Sequence, residues 1–437
     1  MPDAADTVAY VLKGWPRISE LFIASEIYRL EQAGLHLRLY VIKPPDESET
    51  HPVVERIRAR PDYLPATTSL SGTRLVRWLR ANLRPFRPAL GRVARRHPRG
   101  LARAAGLALA QSVRARKGVV AWPRKLYVKE LLQAVALADR LDAAPDVRHL
   151  HAHFAHGTTT VTWLASAITG LPFSFTGHAK DIYAPSLNPA GLLRRKLMAA
   201  RFAVTCTEAN VDHLEAIAPE AVVHRVYHGL NADFSRLLGE DTAQAPGPNG
   251  TLRLLGVGRL VAKKGFDTVV DACGLLHERG VPFEAVIVGP DDDAGPALRA
   301  RIAELGLADR IRLEGQMSQA ELLEEYRRAT AFCLPCRVLD NGDRDGIPNV
   351  LAEAMACGAP VVTTPISGIP EIVRDGVNGL FVAPDDPRAL ADAVLRLRED
   401  RALAERISEE AAATVRRELD GERLAITLQS LFREAIA

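Results

Sequence analysis

Two acidic residues, Asp345 and Glu353, stand eight positions apart in the stretch RDGIPNVLAEAMACG (344–358). Between them, Pro348 or Asn349 is suited to begin a helix, because proline fits the first helical turn. The N–H groups of that turn lack helical partners and lie at the positive end of the helix dipole, so they bind phosphate readily. The two carboxylates could then accept hydrogen bonds from sugar or ribose hydroxyls on either side of a diphosphate. The plainer interpretation is two solvated acids.

A pair of cations lies in GVGRLVAKKGFD (256–267), which follows a predicted strand. Arg259 and Lys264 precede a helix that is predicted to begin near Gly265. Arginine supplies a planar fork and lysine a point charge, a combination that could clamp a diphosphate. A solvated basic loop is the simpler alternative for an isolated pair. The segment lacks the third glycine of a dinucleotide-binding fingerprint, and the sequence contains no P-loop motif.

The elements that must position these residues alternate between strand and helix patterns, which indicates parallel α/β layers. Strands are predicted in TVAYVL, HLRLYVIK, DVRHLHAHF, PFSFTGH and FAVTCT, and then in LRLLGVGR, FEAVIVG, IRLEG, AFCLPC and PVVTT. Two doubly wound domains that face a central cleft follow from this order. We place them at 1–235 and 251–415, with a Pro- and Gly-containing linker at 236–250 and a C-terminal helix at 416–437 that crosses back to the N-terminal domain.

Composition favours a soluble globular protein of 437 residues, with 47% hydrophobic and 25% charged residues. No apolar run reaches the roughly 18 residues of a membrane span. The first 20 residues lack the basic and apolar regions of a signal peptide. The five cysteines, an odd number, indicate reduced thiols in the cytoplasm.

One segment, 74–129, is strongly basic: it holds 16 of the 56 Lys and Arg residues and none of the 53 Asp and Glu residues. The stretch RLVRWLRANLRPF within it has apolar residues at helical spacing with cations between them. We expect such a helix to lie on an anionic membrane surface. The alternative is a solvated basic insertion, and nucleic acid is not expected because no nucleic-acid motif accompanies the charge. Four aromatic residues are interspersed among these cations: Trp78, Phe86, Trp122 and Tyr127.

Four segments resemble one family. DGIPNVLAEAMACGAPVVTTPISGIPEIVRDGVNGLFVAPDD is similar to the E-x7-E signature of retaining family 4 glycosyltransferases of the GT-B fold, and GVGRLVAKKG is similar to their diphosphate-binding segment. YVLKGWPRISELFIASEIYRLEQAG and HAHFAHGTTTVTWLASAITGLPFSFTGHAKDIY resemble a bacterial exopolysaccharide branch of the colanic-acid type. The resemblance covers nearly the whole chain apart from the basic segment. Its motifs are specific for the family and unspecific for the sugar.

The resemblance implies roles for the residues of the donor site. Glu353 would hold the ribose of the nucleotide. The diphosphate would be bound by Arg259 and Lys264 and by main-chain groups at Gly346, Asn349 and Val350.

Three further roles follow from the resemblance. Gly14 in the first loop would let the backbone approach the phosphates, and His178 would contact the donor sugar near the reacting carbon. Asp345 stands where the family has Glu, so its charge is kept and its reach is shorter by one methylene.

The family's chemistry predicts the substrates. A nucleotide sugar would donate a hexose with retention to a glycan or lipid-linked saccharide, at the inner face of the plasma membrane, in cell-surface polysaccharide biosynthesis. Arg, Lys and helix N–H groups stabilise charge on the leaving diphosphate, so no metal or other cofactor is expected. Two alternatives are a GT-B sugar-nucleotide epimerase and a non-catalytic scaffold that binds glycan or membrane.

Several other residue types could carry chemistry. The histidines of HLHAHFAHG could bind metal, but their alternation favours a strand end near the ligand, with His153 or His156 touching acceptor or donor. Cys333 and Cys336 fit C-x-x-C, yet a zinc ribbon needs a second pair, so buried structural thiols are expected. Two acids, Glu208 and Glu371, are candidates for ligand-facing loops, with a helix-start acid as the simpler interpretation of the first.

Overall fold

The structure is a computed structural model that describes residues 7–17, 20–44, 51–116, 118, 121–230, 234–235 and 251–436. The chain forms two compact units. The first unit comprises the chain up to Cys206, Asn210–Val226 and the end of the chain from Ala425. The second unit comprises Thr207–Ala209 and Tyr227–Leu424. The predicted linker, 236–250, lies outside the described residues.

The first unit is built on a parallel sheet of seven strands in the order β3-β2-β1-β4-β5-β6-β7. The longer strands are nearly continuous apolar runs, as expected for strands buried on both faces. All five strands that were predicted here are present, and two short edge strands, β3 and β7, were not predicted. The strands are β1 (Thr7–Gly14), β2 (His36–Lys43), β3 (Pro61–Tyr63), β4 (Val147–His153), β5 (Phe173–Gly177), β6 (Phe202–Thr205) and β7 (Val223–Arg225).

Helices connect these strands and cover the sheet. Three of the four aromatic residues of the basic segment are core residues: Trp78, Phe86 and Tyr127 are at most 2% exposed. Trp78 and Phe86 of RLVRWLRANLRPF therefore pack onto the protein, whereas the fourth aromatic residue, Trp122, is exposed. The helices up to residue 217 are α1 (Leu21–Gln32), α2 (Pro52–Glu55), α3 (Leu75–Asn82), α4 (Arg87–Arg96), α5 (Pro98–Arg114), α6 (Leu126–Leu141), α7 (Gly157–Thr169), α8 (Ala179–Tyr183), α9 (Leu192–Ala199) and α10 (Glu208–Ile217).

The second unit holds a parallel sheet of six strands in the order β10-β9-β8-β11-β12-β13. All five strands predicted here are present, and the two-residue strand β13 extends the edge. The confirmed fold class is thus α/β with two doubly wound sheets. The strands are β8 (Leu252–Val257), β9 (Phe283–Val288), β10 (Ile311–Glu314), β11 (Ala331–Leu334), β12 (Val361–Thr363) and β13 (Leu380–Phe381).

The helices of this half of the chain pack on both faces of the second sheet, around a core of Val, Leu, Ile and Ala side chains. Two long helices begin at Pro387 and at Arg401. A side-chain oxygen of the preceding residue, Asp386 or Asp400, accepts a hydrogen bond from the first turn of each. The helices are α11 (Phe266–Glu278), α12 (Gly295–Glu304), α13 (Gln319–Arg328), α14 (Asn349–Ala356), α15 (Ile369–Ile372), α16 (Pro387–Glu399), α17 (Arg401–Glu418) and α18 (Gly421–Ile436).

The last helix, α18, places its C-terminal part in the first unit. Phe432 is fully buried there, with its ring centroid 5.9 Å from that of Tyr10 and 5.0 Å from that of His151. Gln429 Nε2 donates a hydrogen bond to the carbonyl oxygen of Ala33 at 2.6 Å. These contacts fix the end of the chain against the first sheet.

Two of the general predictions concern thiols and membrane spans. All five cysteines are buried and none forms a disulfide. Over the described residues, the helices are too short or too polar to cross a bilayer.

Candidate functional site

The helix predicted to bind the donor phosphates is α14. Its first residue is Asn349, and Pro348 precedes it with an extended backbone (φ −63°, ψ 125°), which confirms the predicted helix start. The first backbone bond of this end is donated by the Leu351 N–H to the Pro348 carbonyl at 3.0 Å. The N–H groups of Asn349 and Val350 precede it, and Asn349 is exposed. The helix start therefore offers donors to an anion from outside.

Lys264 and Asp345 are brought into direct contact, although 81 positions separate them. Lys264 Nζ lies 2.8 Å from Asp345 Oδ2, and Lys263 Nζ lies 3.1 Å from Asp345 Oδ1. Lys263 also binds Asp343 Oδ1 at 3.1 Å. Sequence reasoning missed the parts played by Lys263 and Asp343, whose only signals were a doubled lysine and the repeated acid of DRD.

The charges in this cluster stabilise one another. Burial by itself raises the pKa of Asp345, but the charges of Lys264 and Lys263 overcome it and bring the pKa to about 2. Burial likewise lowers the pKa of Lys264, and Asp345 more than offsets this, so that the pKa of Lys264 is raised. Both groups are therefore ionised at neutral pH, and Lys264 stays cationic with 12% of its side chain exposed.

Arg259 lies on the loop after β8 and pairs with Asp292 at 3.3 Å, with half of its side chain exposed. Its charge acts on Lys264, since it lowers the pKa of that lysine. Close backbone approach shapes the loop: Gly289 has φ +149°, and a Cβ atom there would lie 2.1 Å from the carbonyl oxygen of Gly258. Gly289, directly after β9, must therefore be glycine for the loop after β8 to pass this close to it.

Glu353 is 9% exposed and lies on α14. Its Oε2 accepts a hydrogen bond of 3.0 Å from the hydroxyl of Tyr326, a fully buried residue of α13. Burial and the charge of Glu353 raise the pKa of Tyr326 well above its usual range, so the hydroxyl keeps its proton. Tyr326 was not predicted, because the sequence of α13 shows only a buried helix position.

His178 lies in the first unit, at the carboxyl end of β5, directly before α8. Its backbone N–H donates to Asp181 Oδ1 at 2.8 Å, and its half-buried ring contacts three others. It stacks on His153 with 5.8 Å between centroids and 19° between planes, and it lies 4.9 Å from Phe154 and 5.1 Å from Phe22. The ring orientation is therefore set by its neighbours.

Gly14 is the last residue of β1, level with Lys43 of β2, rather than part of the loop as predicted. Its backbone needs no left-handed conformation, since it is absent from the positive-φ glycines of the described residues. A Cβ atom there would meet only the side chain of Arg17, at 3.4 Å. The protein's own packing therefore does not require glycine at this position.

The histidines of β4 form a buried hydrogen-bonded row. Ser174 Oγ lies 2.7 Å from His149 Nε2 and 2.8 Å from His151 Nδ1, and His151 Nε2 lies 3.1 Å from Thr176 Oγ1. Burial lowers the pKa of His149 to about 3 and that of His151 well below its usual range, so both rings are neutral.

The sequence predicts that His153 or His156 touches acceptor or donor; the side chain of His156 is 21% exposed, whereas His153 is fully buried. Its Nε2 lies 2.9 Å from Glu26 Oε1, which also accepts from the Tyr10 hydroxyl at 2.9 Å. Possible ligand atoms of Glu26, His151 and His153 lie within 4.8 Å of one another. However, both nitrogens of His151 are engaged by hydroxyls, so the row is accounted for without a metal. Glu26 was not predicted, and through His153 it supports the ring of His178.

The remaining candidates contact other groups of the protein. Glu371 accepts hydrogen bonds from the N–H of Glu208 at 2.9 Å and from the Tyr227 hydroxyl at 2.9 Å. It caps the start of α10, where Glu208 is the first residue, as the simpler interpretation held. Cys333 and Cys336 are fully buried, and burial raises the pKa of both thiols, which agrees with a structural role.

Comparison with known proteins gives the family. Residues 240–414 match the model of "Glycosyl transferases group 1". The amylovoran biosynthesis glycosyltransferase AmsK of Erwinia amylovora is 40% identical over 151 residues, which are 35% of this chain and 37% of AmsK. The alpha-D-kanosaminyltransferase of Streptomyces kanamyceticus is 32% identical over 282 residues, which are 60% of this chain and 71% of that protein. The match therefore spans little more than a third of AmsK and most of the kanosaminyltransferase.

Solved structures agree with the fold. Sucrose-phosphate synthase from Thermosynechococcus elongatus superposes with a TM-score of 0.68 at 18% identity, covering 98% of each chain. Anabaena HepE in complex with UDP superposes with a TM-score of 0.67 at 16% identity, covering 98% of this chain and all of HepE. The fold is thus that of GT-B glycosyltransferases, and the chain belongs to the group 1 glycosyltransferases.

Proposed function

We propose that the protein transfers a sugar from a nucleoside-diphosphate sugar to a glycan or lipid-linked saccharide in cell-surface polysaccharide biosynthesis. The observation that carries the proposal is the contact of Lys264 with Asp345, in the same unit as the start of α14. A lysine that is kept charged, together with a helix start, is suited to a diphosphate. The similarity to AmsK supports the polysaccharide pathway, and HepE, solved with UDP, supports a nucleotide donor.

In the proposed reaction the bond from the sugar to the diphosphate breaks, and negative charge grows on the leaving group. Lys264, Arg259 and the first-turn N–H groups of α14 stabilise that charge, so the reaction needs no metal. A donor phosphate would compete with Asp345 for Lys264, and Asp345 would then be available to donor-sugar hydroxyls. His178 would contact the sugar near the reacting carbon.

We further propose that the anomeric configuration is retained. The acceptor attacks from the face that the diphosphate leaves, and the leaving phosphate takes the acceptor's proton. Proton NMR of the first product formed would show the configuration of the donor sugar in the new linkage. An inverted product would overturn this step and leave the donor site intact.

Glu353 provides a direct test of the donor site. We expect one of five nucleotides, UDP, GDP, ADP, dTDP or CMP, to raise the melting temperature of the protein more than the other four do. A ligand that binds only the folded state stabilises that state. The shift should persist in chelator. Glu353→Ala should weaken binding of that nucleotide by roughly 10- to 100-fold, since a hydrogen bond to a charged group contributes about 1.5–3 kcal/mol.

The matched control is Glu324→Ala, which removes an exposed acid of the same unit and should leave binding unchanged. Tyr326→Phe keeps the carboxylate and removes its buried donor, so an intermediate loss is expected. A cooperative melt that none of the nucleotides shifts would argue for a non-catalytic scaffold. Unchanged affinity in Glu353→Ala would refute the ribose role.

We also propose that the basic segment 74–129 binds an anionic membrane surface, which would bring the enzyme to a lipid-linked acceptor. Some of its charge is neutralised within the protein, since Arg92 pairs with Asp139 at 2.6 Å and Arg96 with Asp142 at 3.4 Å. Four large apolar side chains are exposed in the same segment: Val76, Leu109, Trp122 and Leu126, with Trp122 at 91%. Exposed cations beside exposed apolar groups fit an anionic interface.

Sedimentation with vesicles tests this surface. Reversing three exposed arginines together, Arg77→Glu, Arg80→Glu and Arg84→Glu, should abolish most sedimentation with vesicles of anionic phospholipid at low salt, because each cation near such a surface contributes about 1 kcal/mol. The control, Arg398→Glu with Arg406→Glu, changes exposed cations of the second unit. If both variants sediment like the parent protein, the segment is a solvated insertion.

A further inference from the structure

A cavity of about 360 Å³ lies in the first unit, near the amino ends of the strands. His178 follows the carboxyl end of β5, so the cavity lies towards the opposite end of the same sheet. The volume corresponds to roughly twelve liquid waters, which is enough for one sugar ring. Most of the residues that line the cavity are polar: Thr7, His36, Leu37, Arg38, Leu39, Tyr40, Arg60, Asp62 and Asp146.

The polar side chains of the strands share one face of the sheet. His36, Arg38 and Tyr40 alternate along β2, and side chains two positions apart point to the same face. The parallel pairing sets Tyr40 level with Asp62 of β3 and His36 level with Thr7 of β1. A face of a parallel sheet that packs under a helix is ordinarily apolar. This polar area is therefore suited to contact a polar molecule rather than a helix.

Ion pairs fix the walls of the cavity. Arg38 binds both carboxylate oxygens of Asp146, with Nε 3.0 Å from Oδ2 and Nη2 2.9 Å from Oδ1. Asp62 Oδ2 lies 3.6 Å from Nε of Arg140, a residue of α6. A bidentate pair holds both of its side chains in one geometry. The cavity thus presents donors and acceptors whose orientation is already set.

The hydroxyl of Tyr40 is available to a ligand. Tyr40 lines the cavity and is 3% exposed, and among the residues that the structure describes its hydroxyl has no hydrogen-bond partner. Burial raises the pKa of Tyr40 to about 12, so the hydroxyl is protonated and can donate. Buried polar groups are ordinarily hydrogen-bonded. The partner of this hydroxyl is therefore expected to be a molecule that enters the cavity.

The charges on the lining disfavour an ion as that molecule. An anion would meet the carboxylates of Asp62 and Asp146, and a cation would meet the guanidinium groups of Arg38 and Arg60. Like charges repel in both cases. A neutral ligand rich in hydroxyls avoids this cost, because each hydroxyl can both donate to a carboxylate and accept from an arginine or a tyrosine. Neighbouring hydroxyls of a sugar ring match the donors and acceptors that the Arg38–Asp146 pair presents side by side.

We propose that this cavity binds a neutral hexose unit of a glycan. The site lies apart from the reaction, since the eight residues of β1 alone span roughly 26 Å at about 3.3 Å per residue. A glycan bound there is held without being a partner in the transfer. The inference goes beyond the proposed function, because it needs neither a nucleotide donor nor the groups around Lys264.

Saturation-transfer NMR tests the cavity, with the methyl glycosides of glucose, galactose and mannose as probes. We expect one of the three to bind in the millimolar range. Tyr40→Phe removes one hydrogen bond and should weaken that binding about 2- to 10-fold, and adding Arg60→Gln should weaken it further. The matched control is Tyr63→Phe with Arg95→Gln, a tyrosine of β3 outside the lining and an exposed arginine of the same unit, and it should bind the glycoside like the parent protein.

Two results would overturn the inference. Equal affinity in the parent and in Tyr40→Phe with Arg60→Gln would place the glycoside elsewhere on the protein. Absence of glycoside binding would also reject it, and binding of methylphosphonate in its place would make the cavity an anion site. If Tyr40→Phe lowers the melting temperature, Arg60→Gln alone, at an exposed position, should still weaken binding. Neither result affects the donor site, whose nucleotide binding is measured separately by thermal shift.

Discussion

Replacing Lys264 with glutamine is expected to lower the turnover of sugar transfer by about 10²- to 10³-fold, the usual effect of removing one preorganised group that stabilises transition-state charge. Lys264 is held charged by Asp345 at 2.8 Å and lies in the same unit as the phosphate-binding start of α14. Glutamine keeps much of the length of the side chain and removes the charge that the leaving diphosphate needs. The measurement is release of nucleoside diphosphate at saturating donor, with binding of the nucleotide measured in parallel.

The neighbouring lysine is the matched control. Lys263 also contacts Asp345, at 3.1 Å, and its side chain is about as buried as that of Lys264, at 9% against 12% exposed, but its ammonium is shared with Asp343. Lys263→Gln should therefore alter stability more than turnover. If both variants lose turnover equally, or if the loss in Lys264→Gln follows its loss of folded protein, Lys264 acts through the structure of the loop and the proposed role is wrong.

The strands that build the two sheets could be predicted because they carry their own signal. A strand buried on both faces is a short apolar run, and β2, for example, was predicted at its observed bounds, His36–Lys43. The edge strands β3, β7 and β13 have two or three residues each, and β3 and β7 contain Pro, Asp or Arg. So short a run forms only because a neighbouring strand pairs with it, and that information is not local.

The same limit applies to the basic segment. A helix with one apolar face and cations elsewhere has the same periodicity whether that face meets lipid or the protein core. The burial of Trp78 and Phe86 shows that the face of α3 and the turn after it meet the core. Only the exposed apolar residues, such as Trp122, remain available to a membrane, and the sequence could not separate the two groups.

Within the site, residues that belong to one motif could be found from the sequence, while their supports could not. Asp345 and Lys264 lie on recognisable loops, whereas Tyr326 reaches Glu353 from another helix. Glu26 likewise reaches His153 across 127 positions, and His153 in turn stacks on His178. These supporting contacts depend on how helices pack, and a residue such as Tyr326 looks like an ordinary core position.

Replacing Lys196 with methionine is expected to destabilise the first unit by about 3–5 kcal/mol, as when one partner of a buried polar pair is removed. Lys196 is fully buried, and its Nζ donates to the carbonyl oxygens of Ala155 and His156 and to Asn188 Oδ1 at 2.8–2.9 Å. Methionine would take this donor from the Ala155 carbonyl and from Asn188 Oδ1, each at a cost of about 1–3 kcal/mol, whereas the His156 carbonyl still accepts from the Thr160 N–H at 3.1 Å. The melting temperature should fall by roughly 6–20 °C.

The loss of stability should affect the functional site, because the two carbonyls that Lys196 binds belong to the turn between β4 and α7. That turn contains Phe154, at φ +73°, whose ring lies 4.9 Å from the ring of His178. The nearby Arg194, half exposed on the same helix, is the control, and Arg194→Met should change the melting temperature by little. At a temperature where Lys196→Met is still folded, a lower turnover with unchanged nucleotide affinity would show that the turn positions His178.

Glu130 decides whether charge or hydrogen bonding dominates at this buried lysine. Burial lowers the pKa of Lys196 to about 7, against the opposing effect of Glu130, while burial raises the pKa of Glu130 to about 8. If the attraction between the two groups stabilises the fold, Glu130→Gln should destabilise the parent protein and have little effect once Lys196 is methionine, a coupling that a double-mutant cycle measures. If the two substitutions change the free energy of unfolding additively, Lys196 acts through the three oxygens it binds. If Lys196→Met is as stable as the parent protein, both accounts are wrong.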